Sequence, residues 1–127
     1  MNPKNLKYHR EHDWARVEGD TAVFGLTDYA QETLGDIVFI ELPEVGADVS
    51  AGVPYAEVES VKAVSDVYAP LSGSVVEVND EVVDAPELIN ESPFETGWLI
   101  KVRLGDPGEV DDLMTAEEYE EMLAEED

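Results

Sequence analysis

At 127 residues the chain is long enough to form one domain that buries roughly two thirds of the surface its unfolded form would expose. Its 31 acidic against 7 basic side chains give a formal net charge of -24, which argues against nucleic acid and anionic membranes as partners. Cysteine is absent, which excludes disulfides, thiolate metal sites and a cysteine nucleophile.

No apolar run approaches the roughly 20 residues of a membrane helix, and Met1-Asn2-Pro3-Lys4-Asn5 lacks the apolar stretch of a secretory signal, so a cytoplasmic location is expected. Carboxylates repel across a Debye length of about 10 Å in dilute buffer but only about 3 Å near 1 M salt. The chain is therefore expected to work in a salt-rich cytoplasm, in the manner of a halophilic protein, and to lose stability in dilute buffer. There is no Asp-x-Asp-x-Asp-Gly loop, so the acids read as a solvated surface and not a calcium site.

In chain order, residues 6–16 read as an irregular or extended segment. Glu18-Gly19-Asp20 supplies the turn of a hairpin joining residues 14–17 to residues 21–26, with Trp14, Val17, Ala22, Phe24 and Leu26 as core positions. Thr27 is the N-cap of a short helix over Asp28–Leu34, acidic in its first turn and closed by Gly35, with Tyr29, Ala30 and Leu34 as its apolar face. Ile37-Val38-Phe39-Ile40-Glu41-Leu42 predicts a strand buried between two layers and central to the core, ended by Pro43.

A weak internal repeat follows. Val45-Gly46-Ala47-Asp48-Val49 resembles Val78-Asn79-Asp80-Glu81-Val82, and Pro54 before Glu59-Ser60 resembles Pro86 before Glu91-Ser92. A true duplication would stack two similar β units as a sandwich, with the segment joining them a projecting hairpin. Its strands would be residues 55–59 and 64–69, followed by a turn at Pro70-Leu71-Ser72-Gly73 into residues 74–78 and a last strand over residues 98–104. Beyond Gly105-Asp106-Pro107-Gly108, short helical stretches are expected. Val110, Leu113 and Met114 form one stripe, Thr115-Ala116-Glu117-Glu118 a capping box, and Ala116, Tyr119, Met122 and Leu123 a second stripe that reads as core packing.

Chemistry concentrates on one residue. Lys62 is the only Lys or Arg between Val17 and Ile100, in a tip, Ser60-Val61-Lys62-Ala63, without glycine or asparagine. A lysine amine is a nucleophile when neutral and a flexible four-carbon tether, and a tip free of competing lysines suits an enzyme that must modify one of them. Paired carboxylates for hydrolysis arise by chance in so acidic a chain. His9, Glu11, His12 and Asp13 are poorly spaced for zinc, and no phosphate loop, dinucleotide fingerprint or nucleophile elbow is present.

An ordered set of motifs covers the chain from about Lys7 to Leu123: His12-Asp13-Trp14, Gly25-Leu26-Thr27-Asp28-Tyr29-Ala30-Gln31, Leu34-Gly35-Asp36-Ile37-Val38-Phe39 and Glu41-Leu42-Pro43. It continues with Val58-Glu59-Ser60-Val61-Lys62-Ala63, Ser65-Asp66, Tyr68-Ala69-Pro70, Ser72-Gly73, Pro86-Glu87-Leu88-Ile89-Asn90 and Gly97-Trp98-Leu99. In this order and spacing the chain resembles the H proteins of the glycine cleavage system.

The resemblance implies a mainly β, lipoyl/biotinyl-type sandwich (a hybrid barrel-sandwich) with a short internal helix and short C-terminal helices. One lipoyl-carrier domain would span residues 1–127, with its core at about 21–104 and a helical segment at about 108–124. Lipoic acid would be amide-linked to Lys62, with Glu59 recognised by the lipoate-attaching enzyme. The arm would accept an aminomethyl group from glycine at the pyridoxal-phosphate decarboxylase and present it to the tetrahydrofolate-dependent aminomethyltransferase. Dihydrolipoyl dehydrogenase would then reoxidise it. The chain would be a non-catalytic carrier, monomeric, its loaded arm folding into a cleft near His12, Asp13 and Asp66. The family usually has glutamate where this chain has Asp13, so which carboxylate holds the cargo stays open. Alternatives are a relay passing lipoyl groups to other complexes, a biotin carrier, disfavoured by Val61 and Ala63 in place of flanking methionines, and an unmodified acidic interaction domain.

Overall fold

The computed structural model describes residues 2–126, and no helix among them is long and apolar enough to cross a membrane. Two antiparallel sheets face one another. The larger runs in the order β1 (Lys7–His9), β2 (Asp13–Glu18), β3 (Thr21–Leu26), β9 (Ile100–Leu104), β8 (Gly73–Val78), β5 (Asp48–Val49). The smaller runs β4 (Ile37–Glu41), β6 (Pro54–Ser60), β7 (Val64–Tyr68). This is the mainly β sandwich that the sequence implies.

The expected first hairpin forms between β2 and β3, pairing Trp14 with Gly25 and Val17 with Ala22. Trp14 is fully buried, and a Cβ on Gly25 would lie 2.5 Å from its ring, so only glycine fits opposite the indole. Val17, expected in the core, is 37% exposed because the pair leaves the second layer towards the Gly19 turn.

Two apolar clusters hold the molecule together. The main one fills the space between the sheets, where Phe24, Ile40, Val58, Val67, Ile100 and Val102 are at most 1% exposed. The second lies on the opposite face of β1–β3, where Leu6, Tyr8, Trp14 and Val23 pack against Ala116 and Tyr119 of α4 (Ala116–Glu126). Backbone hydrogen bonds in both directions between Tyr8 and Met114 tie the approach to α4 onto β1. The predicted capping box is made: Thr115 N–H donates to Glu118 Oε1 at 2.9 Å and Glu118 N–H to Thr115 Oγ1 at 3.2 Å. Before it, the expected first C-terminal helix is a 3-10 segment, Pro107–Asp112.

Two expectations are corrected. β4 is an edge strand, not a central one: Ile37 and Ile40 are buried, whereas Val38 and Phe39 are 55% and 45% exposed and a bulge separates Ile37 from Phe39. The internal repeat has no structural counterpart. Residues 45–49 lead into β5, but their supposed copy runs from the end of β8 into α2 (Asp80–Asp84), and the copy of β6 is α3 (Glu87–Glu91). Asn79 starts α2 by accepting from Glu81 N–H at 3.2 Å. The Lys62 hairpin thus lies within the smaller sheet and does not join two duplicated units.

Candidate functional site

Val61, Lys62 and Ala63 form the exposed tip between β6 and β7, whose inward residues Val58 and Val67 anchor it to the core at roughly 1.5–3 kcal/mol each. No glycine makes this turn because Ser60 does: its Oγ accepts from the N–H groups of Lys62 and Ala63, both at 3.1 Å, and its own N–H donates to Ala63 O at 2.8 Å. Val61 N–H donates to Asp36 O at 3.0 Å, fastening the tip to the corner between α1 (Asp28–Leu34) and β4.

That corner is held by Asn90 of α3. Its Oδ1 accepts from Ile37 N–H at 2.9 Å, while its Nδ2 donates to Gly35 O at 2.9 Å and to Gln31 Oε1 at 3.0 Å. The aliphatic stem of Lys62 lies across Gly35, where φ is +81° and a Cβ would stand 3.1 Å from Lys62 Cε. A left-handed backbone and a close approach both call for glycine here.

Beside the tip is a cleft of about 200 Å³, lined by His12, Leu26, Tyr29, Leu34, Val58 and Asp66 among others. Leu34 adjoins the Gly35 seat of the lysine stem, and Val58 and Asp66 come from the two strands of its hairpin. A depression of about 410 Å³ around Tyr8, His9, Arg10 and Leu113 is larger but contains neither the hairpin nor α1. The smaller cleft is the one lined by residues of α1 and of the two hairpin strands, though Lys62 itself is not part of its lining.

His12 has φ 72°, rare for a residue with a side chain. The conformation is held by His12 N–H donating to His9 O at 3.0 Å and Thr27 N–H donating to His12 O at 3.1 Å. Strained backbone of this kind concentrates at functional sites. The His12 ring packs on Tyr29, with centroids 4.6 Å apart, and its Nδ1 lies 2.8 Å from the hydroxyl of Tyr119. That hydroxyl is also 2.8 Å from Thr27 Oγ1, the N-cap group that accepts from Ala30 N–H at 3.2 Å.

The sequence-predicted site residues separate in space. His12 and Asp66 share the cleft. Glu59 stands across from Val64 on the hairpin, half-buried, and pairs with Phe39 of β4 on its other side. Asp13 does not line the cleft. Its side chain is fully buried, and neither carboxylate oxygen has a hydrogen-bond partner among the described residues. Burial, and secondarily the charge of Glu11, raise its pKa well above the usual carboxylate value. His9 Nδ1 is 3.8 Å from Asp13, but burial lowers the pKa of His9, so both groups are driven towards their neutral forms and the contact is not an ion pair near neutral pH. Burial and the proximity of Asp13 likewise raise the pKa of Tyr55.

Sequence reasoning missed Asn90, the Gly35 seat and the Tyr119 contact. Ser60 at the start of a tip, a residue type whose hydroxyl makes such turns, is the one local signal that would have announced the hairpin.

The family model for the glycine cleavage H-protein matches residues 6–126. A glycine cleavage system H protein of Geobacillus sp. (strain WCH70) is 59% identical over 123 residues, which is 97% of each chain. The H protein of Bacillus subtilis (strain 168) is 56% identical, again over 97% of each chain. A crystal structure of the glycine cleavage system H protein from Mycobacterium marinum superposes with a TM-score of 0.86 at 42% identity, covering 97% of this chain and 99% of that one. The chain therefore belongs to the glycine cleavage H-protein family, the lipoyl carriers of the glycine cleavage system.

Proposed function

We propose that Lys62 carries lipoic acid in amide linkage and that the arm swings between the cleft and the active sites of partner enzymes. The observation that supports this is the exposed Lys62 stem lying across Gly35, on a hairpin whose strands supply Val58, Ser65 and Asp66 to the cleft wall. A cleft of about 200 Å³ is smaller than the roughly 300–1,000 Å³ of pockets that enclose a whole free ligand, and so suits the end of a tethered arm.

The bound group supplies a disulfide ring that takes up the aminomethyl group of glycine and is reduced in doing so. The residues of this chain hold and shield. Ser60, Asp36 and Asn90 fix the tip. Leu26, Leu34 and Val58 form apolar walls that exclude water from the cargo. Asp66 offers the carboxylate for a protonated amine, a charge-assisted contact, and takes precedence over Asp13, whose carboxyl is buried and driven towards its neutral form.

The partners of this carrier are the pyridoxal-phosphate decarboxylase, the tetrahydrofolate-dependent aminomethyltransferase, dihydrolipoyl dehydrogenase and a lipoate-attaching enzyme that reads Glu59. The carrier is a non-catalytic, cytoplasmic monomer.

Intact mass of the protein from lipoate-producing cells, with Lys62→Ala as control, tests the attachment. A lipoyl increment absent from the control supports the proposal, and native protein without any increment refutes it. Adding the decarboxylase and glycine should then raise the mass by one aminomethyl group, which a lipoyl relay would not show.

A further inference from the structure

We propose that Ser60 is a positioning residue for the acylation of Lys62, its hydroxyl locking the hairpin tip in the shape from which the lysine stem reaches an attaching enzyme. The inference rests on the attachment of lipoic acid proposed above.

All four N–H groups of the tip are taken. Ser60 N–H donates to Ala63 O at 2.8 Å, and Val61 N–H to Asp36 O at 3.0 Å. The N–H groups of Lys62 and Ala63 both donate to Ser60 Oγ, each at 3.1 Å, and the same hydroxyl donates to Ala63 O at 3.3 Å. A backbone N–H only donates and a carbonyl only accepts, so each of these directions is fixed. A hydroxyl has one hydrogen and two lone pairs, and Ser60 spends all three within the tip.

Two consequences concern the lysine. A tip whose N–H groups are all engaged offers none to an added strand, so an enzyme has to read it through shape and side chains. Val61, Lys62 and Ala63 are exposed, so hydrogen bonds rather than packing hold their backbone. With the tip fixed, the Lys62 stem leaves from a set point and runs across Gly35. Docking then orders side-chain torsions but no backbone, which lowers its entropic cost.

The step served is acyl transfer to an amine nucleophile. The neutral Lys62 amine attacks the carbonyl carbon of a lipoyl group activated as a mixed anhydride with phosphate, supplied by the attaching enzyme. The C–N bond forms as the bond from that carbon to the phosphate oxygen breaks. The nitrogen gives its surplus proton to solvent, and nothing is oxidised or reduced.

The test gives the full chain to a lipoate-attaching enzyme with lipoate and ATP, and reads modification at Lys62 by peptide mass. In Ser60→Ala the docking-competent tip is a smaller fraction of the population, which raises the KM for the protein in inverse proportion and leaves kcat in place. Two modest hydrogen bonds at an exposed site predict a rise of about threefold to tenfold. Amide exchange at Lys62 and Ala63 should accelerate in the same variant. Ser60→Thr and Ser60→Asn each keep an acceptor oxygen of the kind that makes such turns, and at least one should restore the wild-type KM. Acetylation of Lys62 by acetic anhydride, which needs the amine alone, should keep its wild-type rate in Ser60→Ala.

A KM in Ser60→Ala within about twofold of wild type, unchanged amide exchange, rescue by neither variant, or an equal slowing of acetic anhydride would each overturn the proposal. A wild-type chain that the enzyme leaves unmodified would overturn the attachment reading with it, whereas a modified wild type beside an unaffected Ser60→Ala overturns the role of Ser60 alone.

Discussion

Asn90→Ala removes three hydrogen bonds from the corner that carries the lysine tip. The N–H of Ile37, a residue only 3% exposed, loses its acceptor, and the half-buried Gly35 carbonyl loses a donor. Gln31 can turn its amide towards water, so its loss is small. A buried orphan costs about 1–3 kcal/mol, and with the half-buried Gly35 carbonyl at the low end, about 1 kcal/mol, the two together cost about 2–4 kcal/mol. A domain has about 5–15 kcal/mol in hand, so the variant should still fold. Urea unfolding should show a lower midpoint at unchanged slope. Because Asp36 O accepts from Val61 N–H, amide exchange at Val61 should also accelerate, and enzymatic lipoylation of Lys62 should slow. Asn90→Asp keeps an acceptor for Ile37 but presents a carboxylate to the Gly35 carbonyl, so its loss should be intermediate. An alanine variant within about 0.5 kcal/mol of wild type, with Val61 exchange unchanged, would refute the reasoning.

Asp13→Asn tests the buried carboxyl. The folded state raises its pKa, so the stability it contributes is complete below the unfolded value of about 3.9 and is lost as pH rises through the raised folded value. The melting temperature of the variant relative to wild type should therefore climb as pH rises above about 4, and a constant difference from there to neutral pH would contradict this account. Thr115→Ala opens the capping box and should cost about 0.5–2 kcal/mol, read by urea unfolding, with faster amide exchange in the first turn of α4. With a formal net charge of -24, the melting temperature should rise between dilute buffer and about 1 M salt. No rise would remove the argument from charge repulsion.

The parts of the fold most legible in the sequence were those with local causes: the Gly19 turn, the Thr27-to-Gly35 helix and the Thr115–Glu118 box each announce themselves in side-chain chemistry. What was hidden depends on distant partners. The apolar run at β4 reads as buried on both faces, yet the sheet ends there and a bulge turns Val38 and Phe39 outward. The short helices α2 and α3 span five residues each, too few for periodicity to separate them from a strand copy. At the site, Lys62 stood out because no other lysine or arginine lies near it in sequence. The seat at Gly35 and the clamp from Asn90 cross 27 and 55 positions and leave no local trace. Asp13 shows the converse. Its position beside His12 and Trp14 suggests a cleft residue, but strand alternation sends Trp14 to one layer and Asp13 to the other.

The smaller sheet is three strands wide, with β7 at one edge and β4 at the other, the latter partly covered where Asn90 takes the N–H of Ile37. Open edges are templates on which a second copy can add a strand. Glu41, Glu57 and Asp66 stand in register in one row across this sheet, and all three are exposed. Like charges placed directly opposite weaken the sheet they sit on, and a copy pairing in register with this row would add its own carboxylate to it. The row therefore places like charges in the way of such edge-to-edge pairing. The same salt that relieves repulsion within the fold shortens the reach of these charges, so the salt concentration that maximises thermal stability and the one that best resists aggregation should differ.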